Sequence, residues 1–261
     1  RDFCLSRGLG DVYKRQDTLP FHTPEPATVS NLRLISLGLQ ALGSEPLTEP
    51  FSPDGYPLYF RHSLEEGRQV NERLRQAGID EATPIIVIHP GSGAAVKLWR
   101  TAGWAYVADQ LRVCLTISPP ARIILTGSKN EQPLLEEIAQ EMRQEPLLLT
   151  SLSIGQLAAL LGRGMLALGV DNGPLHIAVA QGTPTLQLFG PTDARIFGPW
   201  GNPQRHRALS STARCASCLT IPCGRLDFTP EELPAHPCVR LLREQEVMEV
   251  MQPLLPREQS D

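Results

Sequence analysis

Residues 84–128 read PIIVIHPGSGAAVKLWRTAGWAYVADQLRVCLTISPPARIILTGS. A short apolar run over 85–89 leads into a loop with two glycines and a serine. A helix-length segment over 102–115 follows, and a second apolar run over 122–126 ends at Gly127-Ser128. Uniformly apolar runs of this length, without in/out alternation, are how strands buried on both faces read. The rhythm then repeats, with helix over 131–144, strand over 147–149, helix over 154–161, strand over 165–170, helix over 174–180 and strand over 185–189. Ser128 with Glu131 and Ser153 with Gln156 have capping-box spacing, and Pro174 suits a helix's first turn, where its lost N–H costs nothing. Five buried strands separated by helices predict an α/β fold with a parallel, doubly wound sheet.

Outside this core the pattern is looser. Apolar residues at mixed spacings over 29–42 predict one well-buried helix stopped by Gly43, and 44–61, rich in Pro and Gly, read as a linker. Ser63 and Glu66 are spaced to open a helix running to about Ala77, with Gly78 past its end. Apolar residues between Val239 and Leu254 mark a final helix. Residues 1–16 match nothing that follows and are read as a non-native tail outside the fold.

The 24 basic and 28 acidic residues leave a net charge of −4, which gives no footprint for nucleic acid or an anionic membrane. Two uncharged stretches, 146–162 and 172–192, are broken by polar residues and prolines and do not read as spanning helices. With no apolar signal segment, the expected location is cytoplasmic.

In a doubly wound sheet, ligands sit outside the carboxyl ends of the strands. The chemistry is therefore expected in the loop His89-Pro90-Gly91-Ser92-Gly93 with Lys97, in Gly127–Glu131, in 151–153, and in Asp171-Asn172-Gly173-Pro174 with His176. Glycines let backbone N–H groups approach an oxyanion, and Lys97 adds a point charge suited to phosphate. Pro174 launches a helix whose N-terminus attracts anions, with His176 one turn in. Glu131, past the end of a strand, can accept ribose hydroxyls. Taken singly, each feature is equally well read as a turn, a cap or a core histidine; together they suit a nucleoside diphosphate.

These residues resemble glycosyltransferase family 9, the ADP-heptose:lipopolysaccharide heptosyltransferases. The resemblance rests on His89-Pro90-Gly91-Ser92 with Lys97-x-Trp99, Thr126-Gly127-Ser128 with Glu131, Val170-Asp171-Asn172-Gly173-Pro174-x-His176, and Phe189-Gly190-Pro191-Thr192-Asp193. It implies the GT-B architecture of two Rossmann-like domains, here mainly the C-terminal one. It implies inverting, metal-independent transfer of heptose from ADP-heptose to the inner core of lipopolysaccharide, with no cofactor required. Lys97 and Ser92 would contact phosphates, Glu131 the ribose, and Asp171 the sugar. Asn172, Gly173 and His176 would hold the diphosphate, and Leu152 would line the adenine pocket. The partners implied are the nucleotide-sugar and the lipopolysaccharide core acceptor, with no transmembrane segment and peripheral association at the cytoplasmic face of the inner membrane. Two positions depart from the family pattern: Arg100 stands where K-x-W-P has proline, and Asn172 where D-T/S-G has a hydroxyl residue.

The resemblance also sets the domain expectation: a nucleotide-sugar domain over 83–261, preceded by 17–82 as remnant of the acceptor domain and interdomain linker. Those residues are too few for a second Rossmann-like domain of about 150 residues. The family's general base, an N-terminal aspartate, has no counterpart in context, because Gly10-Asp11 falls in the tail. The expectation is thus a truncated enzyme that retains donor binding, holds no catalytic base and leaves an apolar patch on its last helix. Cys114 is expected buried as a small apolar residue. Cys215, Cys218, Cys223 and Cys238, with His236 nearby, allow either a reduced cysteine cluster or a structural zinc site. A zinc-stabilised, non-catalytic interaction module and a GT-B transferase of another nucleotide-sugar are the rival readings.

Overall fold

The computed structural model describes residues 25–115, 117–213, 215 and 222–256. The chain divides into two compact units, Arg1–Phe51 and Ser52–Asp261.

In the first unit, helix α1 (Ala27–Ala41) ends before Gly43, whose φ of +73° suits a residue without a side chain. Arg33 pairs with Glu25 and Glu49, and the Ser36 hydroxyl accepts the Leu47 N–H at 3.0 Å. The expectation of a well-buried helix fails. None of its residues is buried, and Leu34 and Ile35 stand more than half exposed. Its apolar residues are spread around the helix, so no single stripe exists for one neighbour to cover.

The second unit opens with a strap, residues 52–63, which makes a turn over 53–56 closed by the Tyr56 N–H on the Ser52 carbonyl at 2.8 Å and then runs into helix α2 (Leu64–Gln76). The Glu66 carboxylate accepts the Ser63 N–H at 2.8 Å and the Ser63 hydroxyl accepts the Glu66 N–H at 3.2 Å, closing the expected capping box. Then follow β1 (Ile85–His89), α3 (Thr101–Cys114), β2 (Arg122–Gly127), α4 (Gln132–Glu141), β3 (Leu147–Thr150), α5 (Ile154–Arg163), β4 (Leu166–Val170), α6 (Gly173–Ala180), β5 (Thr185–Phe189), α7 (Ala194–Phe197), β6 (His206–Ser210) and α8 (Glu244–Met251). All strand pairings are parallel, in the order β3-β2-β1-β4-β5-β6. This is the doubly wound sheet that the sequence predicts, with one more strand. β6 has no sequence signal because it is an edge strand in which His206 alone is buried, and its sequence His-Arg-Ala-Leu-Ser carries no apolar run.

Each face of the sheet has its own core. Ile86, Ile88, Leu125 and Leu168 pack with Trp104 and Leu111 of α3, Ile138 of α4, and Val247 and Met251 of α8. On the opposite face Ile85, Val87 and Ile124 pack with Val70 and Leu74 of α2, Leu160 of α5, and Leu175 and Ala178 of α6. Burying a single large apolar side chain contributes roughly 1.5–3 kcal/mol, so these layers dominate the unit's stability. The final helix therefore corrects its expectation: its apolar face is covered by the sheet rather than left as a patch. Cys114 is a second correction. It ends α3 on the solvent side and is exposed, because the next inward position is Leu115.

Candidate functional site

The strand order places the reversal of winding between β1 and β4, since the chain runs outward through β2 and β3 on one side and through β5 and β6 on the other. At such a switch point the loops beyond adjacent strands splay apart and open a crevice. The loop after β1 carries Ser92 and Lys97; the loop after β4 carries Asp171, Asn172 and Gly173.

Lys97 and Asp171 meet across this crevice. The Lys97 ammonium donates to Asp171 Oδ2 at 2.7 Å, and the Thr192 hydroxyl donates to the same oxygen at 2.6 Å. The pair is largely withdrawn from water, with side-chain exposures of 16% and 9%. Two residues beyond Lys97, Trp99 is anchored: its indole N–H donates to the Leu242 carbonyl at 3.0 Å and its ring meets Trp104 edge-on. Arg100 reinforces the same anchor, donating to the Arg240 and Leu242 carbonyls and pairing with Glu244 at 2.8 Å. Arg100 thus ties the loop after β1 to the C-terminal segment.

Asn172 joins the two loops. Its side-chain oxygen caps α6 by accepting the Leu175 N–H at 3.2 Å, while its amide donates to the His89 carbonyl at 3.2 Å and the Gly91 carbonyl at 2.8 Å. Pro174 has no N–H and the cap takes that of Leu175, so the helix presents the Gly173 N–H and its positive dipole end. His176, one turn in, is held below its usual pKa mainly by burial; Asp171 opposes that shift and Lys97 adds to it. It is therefore a neutral hydrogen-bonding group at pH 7. Ser92 stays within its own loop, its hydroxyl accepting the Ala94 N–H at 3.3 Å.

Beside this polar cluster lies a cleft of about 740 Å³. Glu131, Leu152 and Gly173 line it, with His89 of the first motif and three residues to which the sequence assigns no role: Phe60, Leu157 and Ile177. Glu131 Oε2 accepts the Ser128 N–H at 2.7 Å and the Ser128 hydroxyl at 2.8 Å. Its other oxygen lies against Gly91, where a Cβ would sit 1.9 Å from it. With no side chain at Gly91, the Glu131 carboxylate comes right up against this loop. Ser151 has a φ of +61°, a conformation that non-glycine residues hold only under local constraint, and it sets Leu152 at the cleft wall.

His89 forms the cleft floor, 8% exposed, with Nδ1 2.8 Å from the Thr126 hydroxyl. Burial lowers its pKa to about 4, with Glu131 pulling weakly the other way. A histidine whose folded pKa lies below its unfolded value of about 6.5 contributes stability above that value and loses it as pH falls toward 4, because the unfolded chain binds the extra proton. Urea unfolding at pH 7 and pH 5 should therefore show His89→Gln losing about 2 kcal/mol less than the unsubstituted chain over that interval. Equal losses in the two proteins would show that His89 is not buried as a neutral ring.

The cysteine cluster is partly described. Cys215 and Cys238 are buried free thiols in the core under α8, and burial pushes the Cys238 thiol up to about 11. Cys218 lies outside the described residues, and with it the four-cysteine zinc site. Among the described residues no group of three or more His, Cys, Asp or Glu is arranged to hold a metal ion.

Comparison with known proteins fits this geometry. Residues 55–226 match the model of glycosyltransferase family 9 (heptosyltransferase). Lipopolysaccharide heptosyltransferase 3 of Escherichia coli is 32% identical over 52% of this chain and 39% of its own length. Lipopolysaccharide heptosyltransferase 1 of Pseudomonas aeruginosa is 29% identical over 69% of this chain and 54% of its own. The chain spans about half the length of the curated relatives it matches. Among solved structures, E. coli heptosyltransferase WaaC with ADP aligns at a TM-score of 0.56 and 16% identity, covering 90% of this chain and 59% of that one. The shared fold is GT-B, here mainly the C-terminal Rossmann-like domain. The chain belongs to glycosyltransferase family 9, the heptosyltransferase family.

Proposed function

We propose that this chain forms the donor side of an inverting heptosyltransferase, which moves heptose from ADP-heptose to the inner core of lipopolysaccharide without a metal. The observation that carries the reading is the junction of two environments at the β1/β4 switch point: a cationic, helix-dipole corner and an adjoining apolar cleft with one carboxylate. A nucleoside diphosphate has the same division. Its diphosphate suits Lys97, Ser92, the Gly173 N–H and His176; its ribose suits Glu131; its base suits the wall containing Leu152. Asp171 then stands where the sugar leaves the diphosphate, and Asn172 holds the two diphosphate-binding loops together. As the glycosidic bond breaks, charge grows on the leaving phosphate, and a lysine with a helix N-terminus stabilises it as a metal would elsewhere.

In this reading residues 83–261 are the nucleotide-sugar domain, and 17–82 belong to the linker and the acceptor side. We assign no general base within the site. A sugar-nucleotide donor and a lipid-anchored acceptor put the reaction at the cytoplasmic face of the inner membrane. Among the described residues no helix is long and apolar enough to cross a membrane.

Calorimetric titration with ADP and UDP tests the proposal. ADP should bind in the presence of a chelator, at least tenfold more tightly than UDP, and Glu131→Ala should weaken ADP by about tenfold, or 1.4 kcal/mol. Preferential binding of UDP would favour a transferase of another nucleotide-sugar; no binding of either by the folded chain would overturn the donor-site reading.

A further inference from the structure

The strap over 52–63 precedes the sheet and was read from sequence as linker, yet it supplies Phe60 to the cleft. Its backbone is fixed at two carbonyls by side chains from elsewhere in the unit. The Gln181 amide, at the C-terminal end of α6, donates to the Phe60 carbonyl at 2.5 Å, and the buried Trp200 indole donates to the Tyr56 carbonyl at 2.8 Å. Between these pins the strap alternates as an extended chain must: Tyr56, Leu58 and Phe60 are partly buried, while Pro57, Tyr59 and Arg61 are exposed. Anchoring through carbonyls leaves the Phe60 side chain free to line the cleft, together with Leu152 and Leu157.

We infer that the strap is a base clamp and that Phe60 is a specificity-determining residue, which stacks on the nucleobase and favours a purine over a pyrimidine. The inference rests on the donor-site reading above. The cleft lining combines Phe60 and the aliphatic side chains of Leu152, Leu157 and Ile177 with one carboxylate, Glu131, which is held by the Ser128 turn. A nucleotide whose ribose meets Glu131 and whose phosphates meet Lys97 leaves its base to the apolar part of this lining, which is aliphatic side chains and an aromatic ring. Stacking of a base on an aromatic side chain contributes about 1–3 kcal/mol and grows with the overlapping area, so a bicyclic base gains more than a monocyclic one.

The test is calorimetric titration of the full chain, Phe60→Ala and Phe60→Trp with ADP, UDP and inorganic pyrophosphate. Phe60→Ala should weaken ADP about tenfold, weaken UDP less, leave pyrophosphate unchanged and so narrow the ADP/UDP ratio. Phe60→Trp should restore the ratio. Equal weakening of all three ligands would show a merely structural role, and an unchanged ADP affinity in Phe60→Ala would show no clamp; either result overturns the inference while leaving the donor-site reading in place. Failure of the unsubstituted chain to bind ADP would overturn both.

Discussion

Replacing Lys97 with alanine should lower the unfolding free energy by about 3 kcal/mol and weaken ADP binding at least tenfold. Two physical effects converge on this side chain. Its ammonium is the partner of Asp171 at 2.7 Å, in a pair only 16% and 9% exposed, so its removal strands a carboxylate in a poorly solvated crevice. Breaking a buried pair from one side costs about 3–5 kcal/mol, and the lower end applies because the Thr192 hydroxyl still donates to the same oxygen. The ammonium is also the mobile cation of the proposed phosphate corner, and its three hydrogens allow it to keep Asp171 while reaching a ligand. A double substitution separates the effects. Lys97→Met with Asp171→Asn removes both charges and preserves side-chain length, so urea unfolding should recover most of the lost stability while calorimetry still shows weak ADP binding. A double variant as unstable as Lys97→Ala would locate the destabilisation outside the ion pair. Full ADP affinity in Lys97→Ala would remove lysine from the phosphate corner.

Where sequence reading succeeded and where it stopped follows from what each signal reports. Uniform apolar runs betray strands buried on both faces, so β1, β2, β4 and β5 are legible; β3, an edge strand, is legible because it keeps the run Leu147-Leu148-Leu149. Capping boxes at Ser63, Ser128 and Ser153 mark helix starts because the reciprocal bonds are local. β6 escaped because an edge strand needs to bury only one face, and His206-Arg-Ala-Leu-Ser210 alternates too weakly to stand out. Burial is the weaker inference: the helix over Ala27–Ala41 is as apolar as a core helix yet has no fully buried residue, whereas the apolar face of α8 packs on the sheet. The same limit governs the site. Lys97, Glu131, Asp171 and Asn172 could be named from motifs, but the Lys97–Asp171 pair spans 74 positions and the Thr192 hydroxyl reaches Asp171 from 21 positions away. Phe60 was invisible for a related reason. One aromatic among several in a Pro- and Gly-rich stretch acquires a role only when Gln181 and Trp200 pin the strap's backbone beside the cleft.

Asn172→Asp should prove destabilising by about 2–3 kcal/mol, although asparagine and aspartate are nearly equivalent as helix N-caps and aspartate would even favour the helix dipole. The reason is the second half of the side chain. Its oxygen caps Leu175, which a carboxylate can do, but its amide nitrogen donates to the carbonyls of His89 and Gly91, which a carboxylate cannot do. An aspartate would set an acceptor against two acceptors in a half-buried site and strand both carbonyls; each unmet buried group costs about 1–3 kcal/mol, partly offset by the stronger cap. Asn172→Ala should lose both functions, the cap at about 1 kcal/mol and the bridge besides, yet it brings no repulsion. Comparable losses in the alanine and aspartate variants would therefore identify the bridge between the β1 and β4 loops as the dominant contribution. An aspartate variant as stable as the unsubstituted chain would reduce Asn172 to an ordinary cap. Because that bridge fixes Gly91, and Gly91 lies against the Glu131 carboxylate, a destabilised Asn172→Asp should also bind ADP more weakly under conditions where it remains folded, with Leu175 capped but the two loops no longer joined.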